Sequence, residues 1–355
     1  MKIRLIFALV KIVFVLNISY VNALSLTEEA ASYKDSYFNN MTVEEAYKIG
    51  NRLHAVYKDR ESIKYLYYSA KKGDAQGAYL YAVVLDNIGN SRRDKDTIKK
   101  YMVTAADKGV FKAIRYLALR EDFLPWSTRS IWMEVYYDRI IEIQQNNPQK
   151  AELELYLYHL RLNKPLAMTH LDKAIKLNNP TALILNADNI KSGQGFFFFN
   201  SSRHEASMHQ YELAAQTNYI PAIRKYIIEL YRTNLKEKAF EWHLKAASLG
   251  DLSSIAVVAR VYAGYGKAYK SVDIDLLKAK LYYDTYLETV GRDFYEKLYI
   301  ELADEQSLII SRMNNKELQA ARAGTDEMLL KLSDKFAGDT YWTENSYFYN
   351  YLLNQ

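Results

Sequence analysis

Phe240-Glu241-Trp242-His243-Leu244-Lys245-Ala246-Ala247-Ser248-Leu249-Gly250 reads as a helix that carries its own stop signal. Large side chains at its start give way to two alanines, and the run ends on a glycine, the residue that adopts a left-handed backbone at little cost and lets a chain reverse. The same phrase stands elsewhere. Ser69-Ala70-Lys71-Lys72-Gly73 leads to Gly77, and Ala105-Ala106-Asp107-Lys108-Gly109 leads to Ala113. Ala214-Ala215-Gln216-Thr217-Asn218 leads to Ala222, while Ala246-Ala247 and Gly250 lead to Ser254. Weaker copies centre on Asn147, Asn178, Val290 and Gly324, and a first, incomplete unit shows only its forward helix around Ile49-Gly50. The anchors fall about 36 residues apart, the period of helix-pair solenoids. Small residues on either side of each anchor allow two antiparallel helices to approach closely. An aromatic eight places upstream (Tyr65, Tyr101, Trp242, Tyr282) is expected to fill the space they leave.

The segments Phe240 to Gly250 and Lys64-Tyr65-Leu66-Tyr67-Tyr68-Ser69-Ala70-Lys71-Lys72-Gly73-Asp74-Ala75 resemble the Sel-1-like repeat, a relative of the tetratricopeptide repeat. The resemblance covers residues 42–338. It implies an all-α, right-handed superhelical solenoid of antiparallel helix pairs whose inner surface binds other proteins, with no catalytic residues and no cofactor. Bacterial members are often exported adaptors in envelope assembly, host interaction or signalling. Some resemble immunity factors that neutralise lipase-type toxins of rival bacteria.

Residues 1–23 read as an export signal. Lys2 and Arg4 precede the apolar run Leu5 to Leu16, and Val21-Asn22-Ala23 presents a cleavage site that leaves Leu24 as the new terminus. Lys11 divides the apolar run, so a retained membrane anchor is disfavoured. Residues 24–41 form a lead-in, and the aromatic residues 339–355 are expected to cap the last repeat, with a dimerisation helix as the alternative. The chain holds no cysteine, which excludes disulfides, thiolate metal sites and a cysteine nucleophile. Export without cysteine fits a bacterial periplasm. Lys2, Arg4 and Lys11 account for three of the 47 basic residues, and the remainder barely exceed the 42 acidic ones. Charge therefore gives no case for nucleic acid.

Insertions in a solenoid map to its loops, often on the functional face. Two loops are long: Lys191-Ser192-Gly193-Gln194-Gly195 with Phe196, Phe197, Phe198 and Phe199, and Gly264-Tyr265-Gly266-Lys267-Ala268-Tyr269-Lys270-Ser271. They are expected on one edge, with the compact unit that turns at Thr233-Asn234-Leu235 between them. The four phenylalanines either stand exposed as a contact or fold back over the solenoid edge. The candidate partner-binding set is Phe196 to Phe199, Tyr265, Lys267, Tyr269 and Lys270, together with Arg115, Glu154, Lys225, Glu229 and Arg260, expected to be exposed on the inner helices. No catalytic or metal residues are assigned. His204 and His209 stand five apart, whereas a zinc hydrolase helix needs four. Arg92-Arg93-Asp94-Lys95-Asp96 reads as a solvated loop. The sequence thus points to a non-catalytic, periplasmic interaction protein whose partner is an envelope protein or a secreted toxin. The alternatives are an immunity protein and an envelope hydrolase on a helical scaffold.

Overall fold

The computed structural model describes residues 26–33, 35–38, 40–88, 92–266, 268–293 and 295–337. The export signal, Lys267 and the aromatic segment 339–355 lie outside them. The described residues form an all-α solenoid. A short helix α1 (Leu26–Ser32) and a 3-10 turn precede eight antiparallel pairs. The forward helices are α2 (Val43–Ala55), α4 (Ala75–Ile88), α6 (Phe111–Leu119), α8 (Pro148–His159), α10 (Pro180–Lys191), α12 (Ile220–Arg232), α14 (Leu252–Tyr262) and α16 (Glu296–Ile310). The return helices are α3 (Asp59–Lys71), α5 (Arg92–Asp107), α7 (Trp126–Asn146), α9 (Lys164–Lys176), α11 (Asn200–Gln216), α13 (Lys236–Ser248), α15 (Leu276–Thr289) and α17 (Asn315–Ala337).

The turns obey the anchor rule at the four strong copies and at the weaker copy of Asn178. Gly73, Gly109, Asn178, Asn218 and Gly250 all have positive φ, between 58° and 98°. At Gly109 the chain closes with Gly109 N donating to Ala106 O (2.8 Å) and Val110 N to Ala105 O (3.0 Å). That is the double reverse bond of a glycine-terminated helix. The residue after the anchor then starts the next helix: the Asp74, Asn179 and Asp251 side chains accept from Gly77 N, Ala182 N and Ser254 N. A stop residue followed by an N-cap residue is thus the full turn signal, and only its first half is read from the anchors alone.

Three anchors work differently. Asn147 has φ −144° and serves as the N-cap of α8, with Pro148 next. Val290 ends α15 in an extended conformation. Gly324 lies inside α17, where a Cβ would approach the Leu281 side chain to 2.5 Å, so its glycine permits helix contact rather than a turn. Arg92 to Asp96 are the first turn of α5, not a solvated loop. There Asp94 is buried and accepts from Thr27 Oγ1 at 2.5 Å.

The core knob also sits one residue from its expected place. Seven positions before the anchor stand Leu66, Met102, Ile140, Leu171, Tyr211 and Tyr283, all fully buried. Of the four aromatics one position earlier, Tyr65, Trp242 and Tyr282 are only half-buried, while Tyr101 is buried. On a helix a shift of one residue rotates a side chain by about 100°, from the centre of the interface to its margin. Two forward helices of the middle repeats are buried almost all round: α6 from Ala113 to Leu119 and α8 from Ala151 to Leu157. They lie in the middle of the array, flanked by forward neighbours and by return helices.

The array curves until its ends meet. The turn after α2 seats on the connection after α15: Gly291 N donates to Val56 O at 2.9 Å and Arg60 N to Asp293 Oδ2 at 3.0 Å. Tyr57, at φ 60°, sets its ring edge-on to Tyr295. Arg224 bonds both the Tyr57 hydroxyl and Asp251.

Candidate functional site

The loop from Ser192 to Phe199 is a knob braced by hydrogen bonds from Arg203. Gly193 and Gly195 take positive φ, and Arg203 on the first turns of α11 braces the segment. Its guanidinium donates to Ile190 O (3.0 Å), Gln194 O (2.9 Å) and Gly195 O (3.3 Å), and its face lies 4.9 Å from the Phe197 ring centroid. Phe197 is thereby folded back. Phe196, Phe198 and Phe199 are not: they are 81%, 84% and 70% exposed, with Phe196 and Phe198 edge to face at 4.9 Å. Three solvated phenyl rings on a pinned backbone form an apolar surface whose ordering cost is already met within the free protein.

The second long loop does the opposite. Tyr269 is buried against Phe240, Tyr231 and the His243 ring, and so is an anchor rather than an exposed contact. Gly266 N and Asp275 N donate to Arg260 O and Tyr262 O, which folds the loop onto α14. Tyr265 is half-buried and Lys270 exposed. Both long loops join a forward to a return helix, so they share one edge with the turn at Asn234. There Ile228, Tyr231 and Leu235 add exposed apolar surface that the sequence reading passed over. The helical spacing of Ile228 and Tyr231 in α12 resembles that of core residues, and nothing local distinguishes the two.

Three of the five inner-helix charges, Arg115, Glu154 and Glu229, are buried rather than exposed as expected. Arg115 and Glu154 are both buried and pair at 3.0 Å between α6 and α8. Glu229 is buried, and Lys191 binds both its oxygens at 2.7 Å from α10. Lys225 is exposed but reaches Asp188 (3.4 Å), and Arg260 pairs with Glu305 (2.8 Å). Each pair links successive forward helices. Tyrosines from the return helices complete the pattern: Tyr136 donates to Glu154 at 2.5 Å, Tyr283 to Glu305 at 2.7 Å and Tyr211 to Asp188. Burial, reinforced by the carboxylate partner, raises the Tyr211 and Tyr283 hydroxyls far above the ordinary phenol value, so they keep the proton they donate. A carboxylate, a base from the adjacent forward helix and a tyrosine from the return helix recur as an inter-repeat clamp. The charges hold repeats together, which explains why they sit at repeat-spaced positions.

His204 and His209 are exposed on α11. Among the described residues no three His, Asp or Glu side chains converge as a metal site, and no helix is long and apolar enough to cross a membrane.

No protein-family model matches the sequence, and no curated protein matches it significantly. Among the solved structures similar to this chain are the following two. A protective antigen of uropathogenic Escherichia coli strains, which displays an SLR fold, is 16% identical at a TM-score of 0.40, over 86% of this chain and 63% of its own. A Sel1 repeat protein from Oxalobacter formigenes is 18% identical at a TM-score of 0.35, over 81% of this chain and 88% of its own.

Proposed function

We propose that this protein is a non-catalytic binding scaffold of the bacterial periplasm that grips another protein through the edge carrying the long loops. One observation carries the reading: Phe196, Phe198 and Phe199 are exposed on a loop that Arg203 holds in one conformation. A flexible apolar loop is a liability, whereas a braced one presents a defined shape to a partner's cleft. The inter-repeat clamps account for the buried Arg115 and Glu154 without chemistry, and the solenoid serves to hold the edge in place. The periplasmic placement rests on the sequence of residues 1–23.

The test replaces Phe196, Phe198 and Phe199 with serine together. All three lie outside the core, so the melting temperature is expected to stay within about 2 °C of wild type. Cross-linking and capture from the native compartment should then lose the principal partner. Retention of that partner by the folded triple variant would refute the loop as the contact. The immunity reading draws on the same three rings, which would enter the apolar mouth of a lipase-type toxin. It holds if the lost partner is a secreted toxin and the triple variant no longer protects cells from it.

A further inference from the structure

Two repeats before the phenylalanine loop, a cavity of about 220 Å³ opens between the ends of α6 and α8 and the start of α7. Its walls are apolar, among them Ala118, Leu119, Met133 and Leu157. Trp126 and Leu162, 59% and 53% exposed, stand at its mouth. The charged groups that line it are unequal in sign: Arg129 and Arg161 face one carboxylate, Glu121. Arg161 bonds Glu121, and Arg129 reaches the same oxygen only at 3.5 Å. The Arg161 hydrogen bond, before any other influence, holds the Glu121 carboxyl below its usual range, so the site keeps one surplus positive charge near neutrality. The Arg129 side chain is 12% exposed, its guanidinium lies 5.0 Å from the Trp126 ring, and its buried Nε has no hydrogen-bond partner. That Nε is enclosed, so a second acceptor is left to the terminal guanidinium nitrogens, of which Nη1 approaches Glu121 only to 3.5 Å.

From this geometry we infer that the cavity binds the C-terminal residue of a partner peptide, its carboxylate on Arg129 and Arg161 and its large apolar side chain in the space above Leu157. A single carboxylate neutralises the site, whereas a phosphate dianion beside Glu121 leaves it negative. At a C-terminal residue the carboxylate and the side chain diverge from one carbon, which matches a hole of one side chain's size with cations at its rim. The cavity lies on the same forward-to-return edge as the phenylalanine loop, so one partner can follow that edge to both. The inference rests on the binding-scaffold reading and names the chemistry of its partner.

Fluorescein-labelled Gly-Ser-Ala-Phe and Gly-Ser-Ala-Leu, each as free acid and as C-terminal amide, are the probes, with polarisation read against the full chain. The acids are expected to bind at least about tenfold more tightly than the amides, since a charge-assisted pair in a desolvated site is lost. Arg129→Gln should weaken the acids by a similar factor. Leu162→Glu, an exposed rim change that leaves the core intact, should abolish binding by adding a carboxylate at the mouth. Equal binding of acid and amide, or no polarisation change with either acid, overturns the assignment. The Phe196, Phe198 and Phe199 triple variant separates the two readings. Failure of the peptides alongside intact loop-dependent capture refutes the cavity alone, whereas peptide binding with no loop-dependent partner refutes the loop.

Discussion

Arg115 and Glu154 show how a single side chain changes meaning between sequence and fold. Read locally, each is a charge on a helix with ordinary surface neighbours. In the structure they lie 39 residues apart and bury each other, with Tyr136 taking the second carboxylate oxygen. Removing one member strands the other, so Glu154→Ala is expected to cost about 3–5 kcal/mol by denaturant unfolding. Lys225→Ala, at an exposed pair, should stay within about 0.5 kcal/mol. His243 supplies a pH signature. It occupies the knob position filled elsewhere by leucine or tyrosine, and burial depresses its pKa to about 4 from 6.5. The folded state therefore prefers the neutral ring. Its contribution is complete above the unfolded value, and is lost as the pH falls through the folded value. The range corresponds to about 3 kcal/mol at the usual conversion. His243→Leu should flatten that part of the stability profile between pH 6.5 and 4, and an unchanged profile would count against the assignment.

At the scale of the element, the turn residues test the repeat. Asn178 and Asn218 hold φ at 58° and 64°, where glycine carries less strain. Asn178→Gly is expected to be neutral or stabilising by a few tenths of a kcal/mol, and Gly250→Ala destabilising by about 1–2 kcal/mol, both read from the urea midpoint. The helix pairs and the strong turns were legible because a left-handed residue after paired alanines has few alternatives. Asn147, Val290 and Gly324 were misread because an N-cap asparagine, an extended C-cap and a close-packing glycine use the same letters. The knob at Leu66 or Tyr283, beside a conspicuous aromatic, was off by one place for a similar reason: composition marks the stripe but only packing fixes its centre. The phenylalanine loop was visible as an insertion, yet its exposure depends on Arg203 bracing the backbone. The cavity at Arg129 depends on three separate segments converging and leaves no mark on the sequence.

Across the whole molecule, the meeting of the first and last repeats follows from accumulated curvature, which no single repeat encodes. Gly291 is its most sensitive point, because a Cβ there would collide with the Tyr57 carbonyl. An open array of nearest-neighbour units loosens from its ends, since a terminal unit has one interface where an internal unit has two. Here Val56 to Arg60 and Gly291 to Asp293 give the terminal units a second interface, so the string of repeats becomes a circuit. Opening any one place then leaves every unit still held on at least one side, and partial melting from an end loses its advantage. Hydrogen exchange is expected to show this directly: amides of α2 and α16 should exchange at rates close to those of α8. Gly291→Ala should restore fast exchange in α2 and α3 while sparing α8. A protein built from repeats that could each fray would then unfold as one cooperative body.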